Sequence, residues 1–213
     1  MLVRKQGTSA GLLAELREEL TFLAGHLFRA NWLHQQFEAM RKSTPFPPKT
    51  VGMVLDFAEN FNCTYQDEVQ SAHWHHELAT VHPIVTYYAY AHCQECVTES
   101  LVFISDDKQH DHHAVHHFTT AAVEHLKSAR SLDVDHIVQW TDGCGSQYKS
   151  KGPFADISHA LDDHGSTFER NFFGSRHGKG PSDGESAVVK HNAATAIKGG
   201  AAIVTDAKDL FDY

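Results

Sequence analysis

The spacing of apolar residues changes once along the chain, at a cluster of prolines, and this change constrains the fold more than any other feature. Before the cluster, four leucines recur at spacings of four, three and four residues: Leu16, Leu20, Leu23 and Leu27. This spacing predicts an α-helix over residues 11–41, with the leucines packed in a core. The prolines at positions 45, 47 and 48 end this helix and form a stiff connector.

Beyond the prolines, short apolar runs alternate with helical patterns. We predict strands at 51–57, 81–90, 98–105, 136–140 and 167–173, and helices at 112–130, 153–162 and 183–198. The order predicts an α/β fold with a mixed sheet, which starts with three antiparallel strands and continues with alternating helix and strand. We divide the chain into a helical extension with its proline-rich connector (1–48), a core (49–198) and a C-terminal tail (199–213).

Composition excludes several classes of protein. The net charge is −9, which argues against a broadly basic nucleic-acid coat. No apolar run approaches the roughly 20 residues of a membrane span, and the N-terminal residues lack the apolar stretch of a signal peptide. Four cysteines in a chain of 213 residues do not make a disulfide scaffold. We therefore expect an intracellular protein without a membrane partner.

Three acidic residues occupy positions that suggest a shared site. Asp56 lies inside the first predicted strand, Asp142 lies at the end of a later one beside two glycines, and Asp183 opens the last predicted helix. Acids on separate elements of one sheet can converge at one edge, where they repel one another unless divalent cations neutralise them. Hard oxygen ligands favour Mg²⁺ or Mn²⁺ over zinc, and two such ions promote phosphodiester cleavage.

Each acid also has a simpler interpretation. Asp183 suits the N-cap of a helix, and Asp142 suits the turn Thr-Asp-Gly. Asp56 is harder to explain in this way, because a carboxylate inside an apolar strand needs a partner, although a structural hydrogen bond would supply one.

Several short words of the sequence resemble those of DDE/D transposases of the ribonuclease H-like fold, and in particular transposon-derived proteins of eukaryotes. The words are LDFAENF (55–61), HW (73–74), SDD (105–107), TDGCGSQYKSK (141–151) and GSRHGKGPSDG (174–184). The resemblance covers roughly residues 50–195. It implies a catalytic and metal-binding triad of Asp56, Asp142 and Asp183 that holds two Mg²⁺ or Mn²⁺ ions, with Glu185 as the rival third acid.

The same resemblance implies a partner and a location. Transposon-end DNA would be the substrate, with the nucleus as the site of action and a homo-oligomer compatible with the family. Basic residues near the acids suit phosphate contacts: Lys149, Lys151, Arg176, His177 and Lys179. A solvated surface of mixed charge is the simpler interpretation of these residues.

Histidines and cysteines suggest a second kind of metal site. One cluster comprises His73, His75 and His76, and another comprises His110, His112, His113, His116 and His117. In the second cluster, residues four apart share a helix face and could hold zinc or copper, but a polar helix surface is the simpler interpretation. Cys93 and Cys96 supply half of a tetrahedral zinc site, with no second such pair in the chain. Zinc is therefore not the expected cofactor.

Three functions remain open at this stage. The first is a transposase-type core that cleaves DNA and transfers strands, either as a fragment or as a domesticated copy, since no separate DNA-binding domain is readable and the N-terminal helix is acidic. The second is a catalytically inactive, transposon-derived module that binds DNA or protein. The third is a His/Cys protein that binds a transition metal.

Overall fold

The secondary structure follows the predicted order, with shifts of a few residues at the ends of elements. The computed structural model describes residues 6–64, 76–93, 95–174 and 180–213. Its elements are α1 (Ser9–Arg41), β1 (Thr50–Leu55), β2 (Phe61–Asn62), β3 (Leu78–Tyr88), β4 (Val97–Ser105), α2 (His112–Ser128), β5 (His136–Thr141), α3 (Lys151–His164), β6 (Thr167–Phe172), α4 (Pro181–Lys198) and α5 (Ala207–Asp212). The two-residue β2 and the short α5 are additions to the predicted set.

The strands form one open mixed sheet of six strands. β3 pairs antiparallel with β1 and with β4, and β2 pairs antiparallel with β3. β5 lies parallel to β1, and β6 lies parallel to β5. The path through the sheet runs β2-β3-β1-β5-β6, with β4 paired to β3. The mixed α/β class, the antiparallel start and the N-terminal helix are confirmed.

Alternation along β1 distributes apolar side chains to both faces of the sheet. Met53 and Leu55 join the core beneath α2, whereas Val54 lies on the opposite face with Phe37 of α1 and Trp140 of β5. This two-sided burial explains the continuous apolar run of the strand, as expected where helices cover both faces. A third cluster joins β2 and β3 to the two C-terminal helices, where Ala193, Ile197 and Leu210 are buried.

The prediction that the α1 leucines pack in a core is wrong for the single chain. The helix buries only Ala30 and Phe37, close to its C-terminal end, while Leu16, Leu20, Leu23 and Leu27 are exposed. The reason is length: 33 residues extend about 50 Å, well beyond the sheet that the C-terminal part of the helix covers. Within the described ranges, no helix has the length and apolarity to cross a membrane.

Two differences at element ends affect the site. β1 ends at Leu55, so Asp56 lies immediately after the strand rather than inside it. The last predicted helix, α4, begins at Pro181 rather than at Asp183, which therefore lies within its first turn. In the segment 199–213, Val204 and Leu210 are buried in the third cluster.

Candidate functional site

Two of the predicted acids follow the carboxyl ends of neighbouring parallel strands. β1 and β5 pair in register from Thr50 beside His136 to Val54 beside Trp140. Two residues further along this register, each strand has ended, and the next residues are Asp56 and Asp142. The parallel pairing therefore brings these acids to the same edge of the sheet.

The loop that begins with Asp56 is fixed on both sides. Phe57 stacks on His110 with ring centroids 4.3 Å apart, and the edge of His82 approaches the same ring at 4.3 Å. Asn60 Oδ1 accepts hydrogen bonds from His110 Nε2 (2.7 Å) and from Thr80 Oγ1 (3.2 Å). These contacts hold the segment after β1 in one conformation and so fix the position of Asp56.

The main chain of this loop has two further partners. The Ala58 amide donates to the Val81 carbonyl (3.0 Å), and Lys190 of α4 donates to the Glu59 carbonyl. α4 is therefore joined directly to the loop that carries Asp56. Sequence reasoning missed Lys190 and considered His110 only as a member of a histidine cluster, because nothing in the local pattern marks a contact between segments so far apart in the chain.

The loop after β5 is anchored by a buried tyrosine. Asp142 Oδ1 accepts from the Cys144 amide (2.9 Å), which makes the turn expected of Thr-Asp-Gly. Tyr148 is fully buried in the core beneath α2, and its hydroxyl lies 3.5 Å from His82 Nε2. A Cβ added to Gly143 or Gly145 would meet nothing within 4 Å, so the space beside Asp142 is open.

Behind this loop, the half-buried Arg170 links the two last strands. Arg170 donates to Gln139 Oε1 through Nε (3.0 Å) and Nη2 (2.8 Å), and its Nη1 approaches the Tyr148 carbonyl at 3.4 Å. Burial lowers the pKa of Arg170. The sequence showed no sign of this role, since the partners are about 20 to 30 residues away.

The third acid lies in the first turn of α4. Asp183 Oδ2 accepts from the Gly180 amide (2.8 Å), so the carboxylate contributes to capping the helix from within its first turn. The rival acid has a different neighbour: Glu185 adds to the rise in the pKa of Tyr87, which burial causes in the first place. Of the two, Asp183 is the acid that interacts with Asp56.

Electrostatic interaction joins the three acids. Burial, followed by the carboxylates of Asp142 and Asp183, raises the pKa of Asp56 to about 7. The pKa of Tyr148 is raised by burial and then by Asp56 and Asp142. Negative charge is thus concentrated at this edge of the sheet, where it helps to raise the pKa of Asp56.

These acids supply the carboxylate oxygens that a hard divalent cation binds, but among the described residues their side chains do not form a compact group. Carboxylate oxygens are the ligands that Mg²⁺ and Mn²⁺ prefer, and repulsion that raises a pKa is relieved by a cation. In the described part of the chain, no three His, Cys, Asp or Glu side chains are arranged compactly enough to hold a metal ion. The shared metal geometry of Asp56, Asp142 and Asp183 therefore stays a prediction.

The predicted phosphate-binding residues are described only in part. Lys149 and Lys151 are exposed, whereas Arg176, His177 and Lys179 lie outside the described residues. Lys149 lies over the ring of Phe172 at 4.9 Å. It lines a cleft between α1 and the end of β6 whose other basic residues are His26, Arg29 and Arg170. This cleft borders the site, because the Phe173 amide bonds to the Thr141 carbonyl, one residue before Asp142.

The histidines of α2 divide between two faces of the helix, as their spacing predicted. His113 and His117 are exposed, while His112 and His116 are half-buried. His112 Nδ1 donates to Asp156 Oδ2 of α3 (3.0 Å), and the rings of His116 and His164 lie 5.6 Å apart. These histidines connect α2 with α3 and, among the described residues, do not form a compact metal-binding group.

The other predicted transition-metal ligands are three histidines before β3 and two cysteines before β4: His73, His75, His76, Cys93 and Cys96. His73 and His75 lie outside the described residues, and His76 is half-buried. Cys93 and Cys96 are free thiols, both half-buried. The Cys96 thiol lies 3.6 Å from the Val97 carbonyl.

Comparison with known proteins identifies a family for most of the chain. No curated protein matches the sequence, and no solved structure matches it. The model of one family, described as "Domain of unknown function (DUF8701)", matches residues 34–213. The match covers the sheet, the three acids and the C-terminal end of α1, and on this ground the chain belongs to the DUF8701 family.

Proposed function

We propose that the chain is a ribonuclease H-like core of DDE/D transposase type that cleaves phosphodiester bonds and transfers strands on DNA with the help of divalent cations. The observation that carries the proposal is the interaction of Asp56 with Asp142 and Asp183, which come from three separate elements. The proposal includes a fragment or a domesticated copy of a transposase. It implies DNA as the partner and the nucleus as the site of action.

The order of the elements supports this proposal. The ribonuclease H-like resemblance implies three antiparallel strands followed by alternating helix and strand. The sheet has β1, β3 and β4 antiparallel, followed by α2, β5, α3 and β6. Asp56 and Asp142 follow β1 and β5, and Asp183 lies in the first turn of α4. These are the positions that the resemblance assigns to the triad.

The electrostatics of the site support a divalent cofactor. Asp56 has a pKa of about 7, so at neutral pH the folded protein holds a carboxylate that resists ionisation. Mg²⁺ or Mn²⁺ would favour the charged form of all three acids. When two such ions are bound at a site of this kind, they supply a nucleophile and stabilise the leaving oxygen of a phosphodiester.

The remaining residues of the site would position these acids and the substrate. His110 and Lys190 hold the loop of Asp56, and Tyr148 holds the loop of Asp142. Lys149 and Arg29, in the cleft beside the site, would neutralise phosphates of a DNA backbone. Such contacts position DNA without reading its sequence.

Cleavage of DNA by the purified chain tests the proposal. We expect Mn²⁺-dependent nicking of supercoiled plasmid and of duplexes with transposon-like ends, measured at one fixed salt concentration. Asp56→Asn should abolish nicking, since Asn keeps the size of the side chain but loses the charge that holds a cation. Glu185→Gln is the matched control and should keep at least about half of the activity, because Glu185 interacts with Tyr87 and not with Asp56. Nicking that survives in Asp56→Asn would overturn the proposal.

A catalytically inactive module that binds DNA or protein is the second candidate. The large exposed apolar surface of α1 favours it, as a surface that binds protein. One outcome distinguishes the two candidates. If the wild-type chain binds DNA in a salt-dependent way but does not cut it when Mn²⁺ is supplied, the chain is a binding module.

A further inference from the structure

The N-terminal part of α1 exposes an unusual amount of apolar surface. Nine large apolar side chains of this helix are exposed: Leu12, Leu13, Leu16, Leu20, Phe22, Leu23, Leu27, Phe28 and Trp32. Single exposed apolar residues are common on protein surfaces, but contiguous sets of this size mark interaction sites. All of these residues except Trp32 precede Ala30, the first residue of α1 that is buried against the sheet.

Five of these residues form a heptad repeat. Leu13, Leu20 and Leu27 are spaced by seven residues, and Leu16 and Leu23 fall between them at spacings of three and four. These are the a and d positions of a coiled coil, in which a repeat of 3.5 residues keeps one seam facing a partner helix. The same stripe continues into Ala30 and Phe37, which are already buried against the chain's own sheet. The seam is therefore occupied at its C-terminal end and open over about four preceding turns, from Leu13 to Leu27.

We propose that α1 pairs with α1 of a second copy of this chain in an antiparallel two-stranded coiled coil. Pairing Leu20 with Leu23 of the second copy places Leu16 against Leu27 of that copy. The two-fold axis repeats both contacts, which gives four layers of leucine against leucine. Such a self-complementary patch on both copies is the property of a closed two-fold dimer.

The surroundings of Ala30 favour the antiparallel direction. A Cβ added to Gly174 would lie 2.7 Å from Ala30 Cβ, so the end of β6 already covers the seam at this point. A parallel partner would bring its own sheet to the same end of the coil, where this contact leaves no room. An antiparallel partner places the two sheets at opposite ends, and its four leucine layers lie between residues 16 and 27, before Ala30 is reached.

Charge and flanking contacts agree with the same direction. In this register Glu19 of each copy lies beside His26 of the other, and Leu12 lies beside Leu33, which is half-buried against the cluster around Phe37. In a parallel pair, Glu19 would face Ala24 and Leu12 would face Arg17, which are poorer partners. Flanking positions of this kind set partner choice and orientation in coiled coils.

The available area is sufficient for a stable dimer of moderate affinity. The seam leucines and Leu12 are 40–55 % exposed. At roughly 100 Å² for a fully buried aliphatic side chain, they supply about 600 Å² of apolar area from two copies. Since about 60 % of an interface is apolar, the whole interface reaches about 1,000 Å², the lower limit for a specific complex.

Sedimentation equilibrium of the full chain tests the pairing. We expect a reversible dimer with a Kd of about 1–10 μM. Leu20→Glu combined with Leu23→Glu should raise the Kd at least about 100-fold, because four seam positions of the dimer become charged. Phe22→Glu is the matched control, since Phe22 is 72 % exposed and lies outside the seam, and its Kd should stay within about 3-fold of wild type.

The same measurements include two outcomes that would contradict the proposed pairing. All these side chains are exposed in one chain, so each variant should keep the helical circular-dichroism signal and melting temperature of the dissociated wild type. A wild-type chain that stays monomeric at about 200 μM would overturn the proposal. Equal dissociation by the seam variant and by Phe22→Glu would overturn the assignment of the seam.

Disulfide trapping tests the direction. The double variant Leu16→Cys, Leu27→Cys should form a covalent dimer on mild oxidation, measured by intact mass against oxidised wild type as background. Leu16→Cys alone should not, because in an antiparallel pair Leu16 lies opposite Leu27 and away from its own copy. Efficient trapping of the single variant would show a parallel pair and contradict the antiparallel arrangement.

Discussion

Asp56 and Asp142 follow directly the carboxyl ends of two neighbouring parallel strands, and the charge of Asp142 helps to raise the pKa of Asp56 to about 7. The first cause of this rise is the burial of Asp56, and the third is Asp183 at the start of α4. A carboxylate in this position lowers the free energy of unfolding at neutral pH unless a cation or proton neutralises it. Carboxyl pKa values shifted in this way concentrate at functional sites, which supports the proposed ligand site.

The first prediction concerns stability without metal. The pKa of Asp56 is about 7 in the folded protein and 3.8 in the unfolded chain. Stability of the wild type should therefore fall as pH rises from about 4 to about 7, and the loss is complete above pH 7. Asp56→Asn lacks this loss. After allowance for the solvent around the half-buried Asp56, we expect its free energy of unfolding, relative to wild type, to rise by about 2 kcal/mol between pH 4 and pH 8.

Urea unfolding in a buffer with chelator measures this difference at each pH. Glu185→Gln serves as the control, since Asp56 does not interact with Glu185, and its stability relative to wild type should not follow this profile. A difference between Asp56→Asn and wild type that stays constant from pH 4 to pH 8 would show that Asp56 ionises normally.

The strands that lead to two of the acids were predictable from the sequence, and the residues that support these acids were not. The apolar runs predicted Asp142 at the end of its strand, but they placed Asp56 inside the first strand, whereas β1 ends at Leu55. His110 and Lys190 lie far along the chain from Asp56. Only the tertiary fold brings them to the same loop, so no local pattern could identify them.

The second prediction concerns the contact between α1 and β6. A Cβ at Gly174 would lie 2.7 Å from Ala30 Cβ and 2.8 Å from Ala30 Cα. Gly174→Ala should therefore push the helix away from the end of β6 and lower the free energy of unfolding by about 1–3 kcal/mol. Gly145→Ala, where an added Cβ meets nothing within 4 Å, should change it by less than about 0.5 kcal/mol. Thermal unfolding of the two variants compares them, and equal effects would contradict the close packing.

The third prediction concerns an acid outside the site. Hydrogen bonds from Arg130 and then from His125 and Tyr88 lower the pKa of Glu99 to about 2, against the effect of its burial. Its stabilising effect should be complete above about pH 4.5 and be lost as pH falls toward 2. Glu99→Gln should therefore lower the free energy of unfolding by about 2 kcal/mol at pH 7, allowing for the solvent around the half-exposed Arg130.

Acid titration of the unfolding free energy checks this prediction. The gap between wild type and Glu99→Gln should narrow steadily below pH 4.5. A gap of the same size at pH 3 as at pH 7 would mean that the carboxylate charge contributes nothing, and that the substitution acts through packing alone.

α1 shows how a correct periodicity can lead to a wrong location. The leucine spacing predicted a helix, and the helix is present from Ser9 to Arg41. It did not reveal what the leucines face, because a heptad seam packs equally well against a sheet of the same chain or a helix of another. Ala30 and Phe37 take the first option, and we propose the second for Leu16 to Leu27.

The binding of divalent cations tests the central claim most directly. Thermal unfolding with and without Mg²⁺ or Mn²⁺ should show a rise in Tm of about 4 °C for the wild type at a tenfold excess of cation over Kd, equivalent to about 1.4 kcal/mol. Asp56→Asn, Asp142→Asn and Asp183→Asn should each remove this rise, and Glu185→Gln should keep it. A wild-type Tm that does not respond to either cation, or a response that Asp183→Asn keeps and Glu185→Gln loses, would contradict the assignment of these three acids as the metal site.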